Sequence, residues 1–125
     1  MSHQRPMTIL IVEDDAATSA LYADLLRMDG YHTHVVTSGQ AALATLAQQP
    51  ISVVLLDWRL PDMDGLAVSR QIRHTLHLGV PIVLITAHHS LALEAAARDA
   101  GVTVYFPKPM PAEMLLKRLA TLSDG

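Results

Sequence analysis

Short apolar bursts alternate with amphipathic stretches along the chain. "TILIV" (8–12), "ISVVLL" (51–56) and "PIVLI" (81–85) are rich in β-branched residues and apolar almost throughout. Such runs suit strands buried on both faces of a parallel sheet. "HTHVV" (32–36) and "VTVYF" (102–106) mix polar with apolar positions, as edge strands do. The pattern predicts the first, third and fourth strands inside a sheet, with the second and fifth at its edges.

Helical periods with recognisable ends fill the gaps. Asp15 is placed to cap a helix from Ala16 to about Asp29, with Leu21, Leu25 and Met28 as its apolar stripe and Gly30 as its stop. Ser38 can cap a second, with Leu43, Leu46 and Ala47 facing inward and Pro50 beyond its end. A third spans about Leu66 to Leu76 and buries Val68 and Ile72; an alanine-rich fourth spans Ser90 to Ala100 and closes on Gly101. Pro111 suits the first turn of a fifth, which carries Leu115, Leu119 and Leu122. Parallel strands need right-handed crossovers, so the helices must cover both faces of the sheet. The predicted fold is therefore α/β: a single doubly wound (βα)5 domain, flavodoxin-like, with a five-stranded parallel sheet in the order 2-1-3-4-5. It is expected to occupy residues 1–125, with its core at 7–122.

Composition narrows the class. A chain of 125 residues that is 50% hydrophobic and 17% charged can form one core and is not a disordered tail. The lack of cysteine excludes disulfides, thiolate metal sites and a thiol nucleophile. A net charge of -3 without a Lys/Arg cluster gives no sign of direct nucleic-acid binding. No apolar run approaches a membrane span, and "MSHQRPM" lacks the apolar centre of a secretory signal, so a soluble cytoplasmic domain is expected.

In a doubly wound sheet, ligands collect beyond the carboxyl ends of the strands, where the winding reverses. The first strand ends in Glu13-Asp14-Asp15, the third in Asp57 and the fourth in Thr86, while Lys108 stands two residues past the fifth. Singly, each is bland: an acid after a strand is ordinarily a turn former or cap, the role assigned to Asp15, and a lone lysine is ordinarily solvated. Jointly, Glu13, Asp14 and Asp57 crowd three carboxylates together. Two such charges about 4 Å apart repel by roughly 4 kcal/mol at an effective dielectric of about 20. A hard divalent cation relieves that repulsion, and Mg²⁺ in particular uses one or two carboxylates and keeps positions for water or phosphate oxygens. A metal, an ammonium and a hydroxyl around one carboxylate supply the positioning and charge neutralisation that phosphoryl transfer requires. Asp57 could then serve as nucleophile, giving an acyl phosphate. Within "LLDWRLPDMDG" (55–65), Asp62 and Asp64 with Gly65 are expected only to shape the turn and start the next helix.

At these residues the chain resembles the receiver domain of two-component response regulators. "ILIVEDD", "LLDWRLPDMDG", "LITA" and "YFPKPM" stand in that family's order and spacing, from about Met7 to Leu122. The resemblance implies Asp57 as phosphoacceptor, Asp14 and Asp57 as ligands of Mg²⁺ (or Mn²⁺ in its place), Glu13 as a ligand through water, and the Arg59 backbone carbonyl as a further ligand. It implies that Lys108 pairs with phosphoryl oxygens and is joined to Pro109 by a cis bond. Thr86 would move toward the phosphoryl group, Ala87 would leave access open, and Tyr105 would swing inward with Thr86. That is a population shift between two packings. Implied partners are a sensor histidine kinase or histidine phosphotransfer protein, an output domain or effector outside this chain, and a second copy docked through helix 4, strand 5 and helix 5. Such a domain catalyses its own phosphorylation and slow dephosphorylation, and is not a turnover enzyme on external substrates. The competing reading is a receiver-like binding module that works without phosphorylation, a role with no need of Glu13, Asp14, Asp57, Thr86 and Lys108 together.

Three positions depart from the usual pattern. Arg59 is long and cationic, able to reach Glu13 or the phosphoryl group or equally to stand as a solvated surface arginine; His88 is expected at the same mouth, and both would influence the lifetime of the acyl phosphate. Met110 stands where an aromatic residue often follows the Lys-Pro pair. Other families fit poorly. An EF-hand needs a glycine at the sixth loop position and a closing acid, which "DMDGLAVSRQI" lacks. A haloacid dehalogenase-type phosphatase carries a second acid where Arg59 stands, a flavodoxin has a hydroxyl-rich loop after strand 1, and a P-loop is missing. His32 with His34 and His88 with His89 have no evident third ligand for zinc.

Overall fold

The inner strands divide their side chains between two apolar layers. β1 (Thr8–Val12), β3 (Val53–Asp57) and β4 (Ile82–Thr86) send Ile9, Ile11, Val53, Leu55, Val83 and Ile85 to one layer. Leu10, Val12, Val54, Leu56, Ile82 and Leu84 enter the other. Every one of these side chains is 2% exposed or less, which is why the runs read as continuously apolar. β2 (His32–Val36) and β5 (Val104–Pro107) flank them in an all-parallel sheet of order β2-β1-β3-β4-β5. This computed structural model describes residues 7–123, and its sheet order and edge strands are those the hydrophobic pattern predicts.

Helices cover both layers. α1 (Ala16–Met28) and α5 (Ala112–Ser123) contribute Ala23, Leu26, Leu115 and Leu119 to the layer of Ile9 and Leu55. α2 (Gly39–Gln48), α3 (Gly65–His74) and α4 (Leu91–Asp99) bring Ala42, Leu46, Val68, Ile72 and Ala97 to the opposite one. Asp15, Ser38, Asp64 and Ser90 each accept a hydrogen bond from the backbone N–H three residues on, satisfying an otherwise unpaired donor at the start of α1, α2, α3 and α4. Gly30 and Gly101 take φ of 93° and 95° after α1 and α4, a region in which a side chain is strained. No helix among the described residues is long and apolar enough to cross a membrane.

Several local expectations are corrected. Leu21 and Met28 are 67% and 87% exposed, and the buried face of α1 is Ser19, Ala23 and Leu26, with Leu25 only partly covered. Small residues at 19 and 23 fit this face against the sheet, and the larger Leu21 and Met28 turn outward. On α2, Ala42 is buried where Ala47 was expected, and Ala47 is exposed; Leu43 and Leu46 do face the core. β3 begins at Val53 because Ser52 serves the lead-in: its Oγ accepts from Thr8 N–H at 3.0 Å and its N–H donates to the Thr8 carbonyl at 2.9 Å. Pro111 precedes α5 and offers its carbonyl to Met114 N–H at 3.0 Å, a capping position outside the first turn.

One side chain ties the far end of the sheet together. The Arg73 guanidinium donates to the carbonyls of Gly101 (2.8 and 3.1 Å), Leu78 (2.8 Å) and Val80 (2.7 Å). Arg73→Ala is expected to lower stability by about 2 kcal/mol in urea unfolding, because three carbonyls lose a charged donor. Arg73→Lys should recover little, since an ammonium cannot reproduce the planar fork.

Candidate functional site

Strand register brings the polar ends together. Val12 pairs with Leu56 and Asp57 with Ile85, so Glu13 and Asp57 leave neighbouring strands side by side. Thr86 pairs with Pro107, and the next residue, Lys108, donates its N–H to the Thr86 carbonyl at 2.7 Å. Alternation then sorts the side chains. Glu13 and Asp57 continue the rows of Ile11 and Leu55 on the α1/α5 face, and with Lys108 and Tyr22 they line a small cavity above those residues. Thr86 continues the row of Ile82 and Leu84, on the face where Tyr105 also packs.

Lys108 Nζ lies 3.8 Å from Glu13 Oε1 and 3.7 Å from Asp57 Oδ1. Glu13, Asp14 and Asp57 each offer a carboxylate oxygen within 4.8 Å of the other two. Glu13 is buried, Asp57 partly buried and Asp14 exposed. Burial pushes the Glu13 carboxyl up to about 7, reinforced by the Asp57 charge and opposed by the Asp15 N–H and Lys108. Burial likewise raises Asp57, against the pull of Lys108 and the Trp58 N–H. Among the described residues, Lys108 is the ammonium at this cluster and it pairs with Glu13 and Asp57 but not with Asp14, so negative charge is left over, and the carboxylate donors of the cluster are all oxygen. That set fits a hard divalent cation.

A pH dependence follows. A carboxyl raised on folding stabilises the protein below its unfolded value of 4.5, and that contribution is lost as pH rises through about 7. In chelator, the thermal midpoint should fall across this window, and Glu13→Gln should flatten the fall. An equally steep profile in the variant would show that Glu13 is not its source.

The remaining predicted residues surround this centre. Thr86 is fully buried and its Oγ accepts from His88 N–H at 2.9 Å. Ala87 and His88 are exposed; with Asp57, Trp58, Arg59, Thr86 and Lys108 they line a cleft of about 110 Å³. The His88 ring centroid is 5.4 Å from that of Trp58. The Arg59 guanidinium turns to the Trp58 ring, 5.7 Å from its centroid, while Glu13 is met by Lys108. Tyr105 Oη lies 3.4 Å from the His88 carbonyl oxygen and 3.2 Å from His89 Nδ1. The Lys108–Pro109 bond is cis, and Met110 packs at the edge of the α1/α5 layer.

Two contributors escaped the reading of the sequence. Tyr22 lines the cavity beneath the carboxylates, its hydroxyl pushed up by burial and by the charges of Glu13 and Asp57. Its spacing from Ser19 and Leu26 was the available signal, masked by the larger leucines beside it. Asp62, whose carboxyl is also drawn to the N–H groups of its own turn at Asp62 and Met63 as expected, in addition accepts from Gly39 N–H at 2.8 Å and Gln40 N–H at 2.9 Å, at the start of α2. Asp64 does cap α3, accepting from Ala67 N–H at 2.8 Å.

Comparison with known proteins places this arrangement. Residues 9–120 match the model of the response regulator receiver domain. The chain belongs to the response regulator receiver family. Response regulator MprA of Mycolicibacterium vanbaalenii is 38% identical to this receiver domain over 117 residues, 94% of this chain and 50% of the relative. The chain thus spans about half the length of the curated relatives it matches. Among solved structures, a response regulator from Chloroflexus aurantiacus superposes with a TM-score of 0.89 at 29% identity, covering 97% of this receiver domain and 100% of that chain. The receiver domain of sensor histidine kinase PA1611 from Pseudomonas aeruginosa, solved with a magnesium ion coordinated in its active-site cleft, superposes with a TM-score of 0.86 at 28% identity, covering 97% and 100%.

Proposed function

We propose that this receiver domain accepts a phosphoryl group on Asp57 from a histidine kinase or histidine phosphotransfer protein. The observation that carries the reading is the convergence of three carboxylates within 4.8 Å with Lys108 Nζ 3.7 Å from Asp57. An Asp57 carboxylate oxygen bonds to phosphorus as the P–N bond of the donor phosphohistidine breaks, and the electron pair leaves with the imidazole, which takes up a proton. Asp14 and Asp57, Glu13 through water and the Arg59 carbonyl would hold Mg²⁺, whose chemistry when bound is to neutralise charge on the phosphoryl oxygens. Lys108 supplies a fixed positive charge beside the same oxygens.

The switch is carried by the opposite face of the sheet. Thr86 Oγ, which accepts from His88 N–H, gives up that bond and donates its hydroxyl hydrogen to a phosphoryl oxygen, and the loop that moves with it holds the Tyr105 hydroxyl through His88 and His89. Helix α4, β5 and α5 then present an altered surface to an effector or to a second copy. Ala87 leaves the acceptor open, while Arg59 and His88 at the rim tune how fast water reaches the acyl phosphate. Incubation with Mg²⁺ and acetyl phosphate, followed by intact mass measurement, is expected to add one phosphoryl group that chelator prevents. No added mass would overturn the assignment.

A further inference from the structure

We propose that Asp62 is a positioning residue for divalent-cation binding, tying the tip of the β3–α3 loop to the first turn of α2. The inference rests on the reading of the cation site given above. Arg59, Leu60 and Pro61 form one wall of a cleft of about 370 Å³ whose other walls include Glu13, Asp14, Asp57 and Lys108. Arg59 is exposed, and a wall built from an exposed loop needs an anchor if it is to hold its place against the carboxylates.

The loop has two fastenings. Its base is closed by an antiparallel bridge between Arg59 and Asp64 and by Gly65 N–H donating to the Trp58 carbonyl at 2.7 Å. Its tip is held by Asp62 alone among its carboxylates: Oδ1 accepts from Gly39 N–H at 2.8 Å and Oδ2 from Gln40 N–H at 2.9 Å. Both donors belong to the first turn of α2, where N–H groups have no partner within the helix and the helix dipole favours an anion. The two bonds hold the Asp62 carboxyl below its usual range, so the tie persists as an ionised, charge-assisted pair of hydrogen bonds. Met63 reinforces the seam. A Cβ added at Gly39 would lie 2.5 Å from Met63 Cγ, so loop and helix meet there without space for a side chain. The carboxylates come from the ends of β1 and β3, which the sheet fixes; the Arg59–Pro61 wall depends on α2.

Calorimetric titration of the full chain with Mg²⁺ tests this. Asp62→Ala is expected to weaken Mg²⁺ binding about tenfold, as loss of an outer-sphere orienting group commonly does. Ser38→Ala is the control, because it removes the other cap of α2, the 3.1 Å bond to Ala41 N–H, without touching the loop. It should lower the thermal midpoint and leave Mg²⁺ affinity unchanged. Wild-type affinity in Asp62→Ala, or equal weakening in Ser38→Ala, would overturn the inference while leaving the cation site standing. A wild-type protein that takes up no Mg²⁺ would overturn both. Should Asp62→Ala not fold, Asp62→Asn keeps one acceptor oxygen; intermediate affinity then supports the tie and unchanged affinity refutes it.

Discussion

Asp57→Asn is expected to abolish phosphoryl uptake from a small donor while the wild type takes up one group per chain. A carboxamide oxygen is a far weaker nucleophile than a carboxylate, and any O-phosphorylated amide would be unstable. The loss should therefore be complete under conditions that saturate the wild type, as read by intact mass. The same substitution should make the cation-free protein more stable. Asp57 is partly buried beside Glu13 and Asp14, and the Lys108 ammonium is shared, with Nζ 3.7 Å from Asp57 and 3.8 Å from Glu13. Burial disfavours the Asp57 charge by more than Lys108 and the Trp58 N–H favour it, so an uncharged side chain at this position costs the folded chain less. Adding Mg²⁺ should reverse the ranking, raising the thermal midpoint of the wild type and leaving the variant nearly unmoved. A variant that still gains phosphoryl mass would place the acceptor elsewhere.

Gly65→Ala is expected to cost about 2–3 kcal/mol in urea unfolding, a large effect for one methyl group. Its cause is close approach: the φ of Gly65 is not positive, so conformational freedom is not what the position demands. A Cβ there would meet the Asp57 carbonyl oxygen at 2.7 Å, Leu84 Cδ1 at 2.9 Å and Trp58 Cα at 3.1 Å. Two of these are backbone atoms of the strand end that carries the acceptor, and they cannot rotate aside. The first turn of α3 must lift from β3, straining the Gly65–Trp58 bond of 2.7 Å. Mg²⁺ affinity should fall with stability, because the displaced segment is the one that shapes the cleft. A variant with unchanged midpoint and affinity would show that the turn absorbs a methyl group freely.

The fold was readable because its signals are local and redundant. β1, β3 and β4 are apolar on both faces because both faces are buried, and the side-chain caps at Asp15, Ser38, Asp64 and Ser90 mark helix starts that packing does not move. Glu13, Asp57, Thr86 and Lys108 could be gathered from sequence because parallel strands of similar length put their carboxyl ends at one edge. Helix facing was harder. In α1 the hydrophobic residues Leu21 and Met28 turn outward, and a face with Ser19 and Ala23 meets the sheet. Hydrophobicity ranked the wrong side because fit to the sheet favoured small residues, and Tyr22 was lost with that face. The reach of Asp62 to α2 was hidden for another reason. Its partners, Gly39 and Gln40, are distant in sequence, and an acid in a turn-forming stretch gives no sign that its acceptors point to another helix.

A phosphoryl group on Asp57 is an acyl phosphate, a linkage that hydride reagents reduce. Borohydride reduction of the phosphorylated chain converts an acyl-phosphorylated aspartate to homoserine, and peptide mass spectrometry then locates it. Homoserine at position 57, formed only when Mg²⁺ accompanied the donor, is the expected result. A label on His88, His89 or another residue would place the phosphoryl group elsewhere, and homoserine formed equally without the cation would remove Mg²⁺ from the reaction.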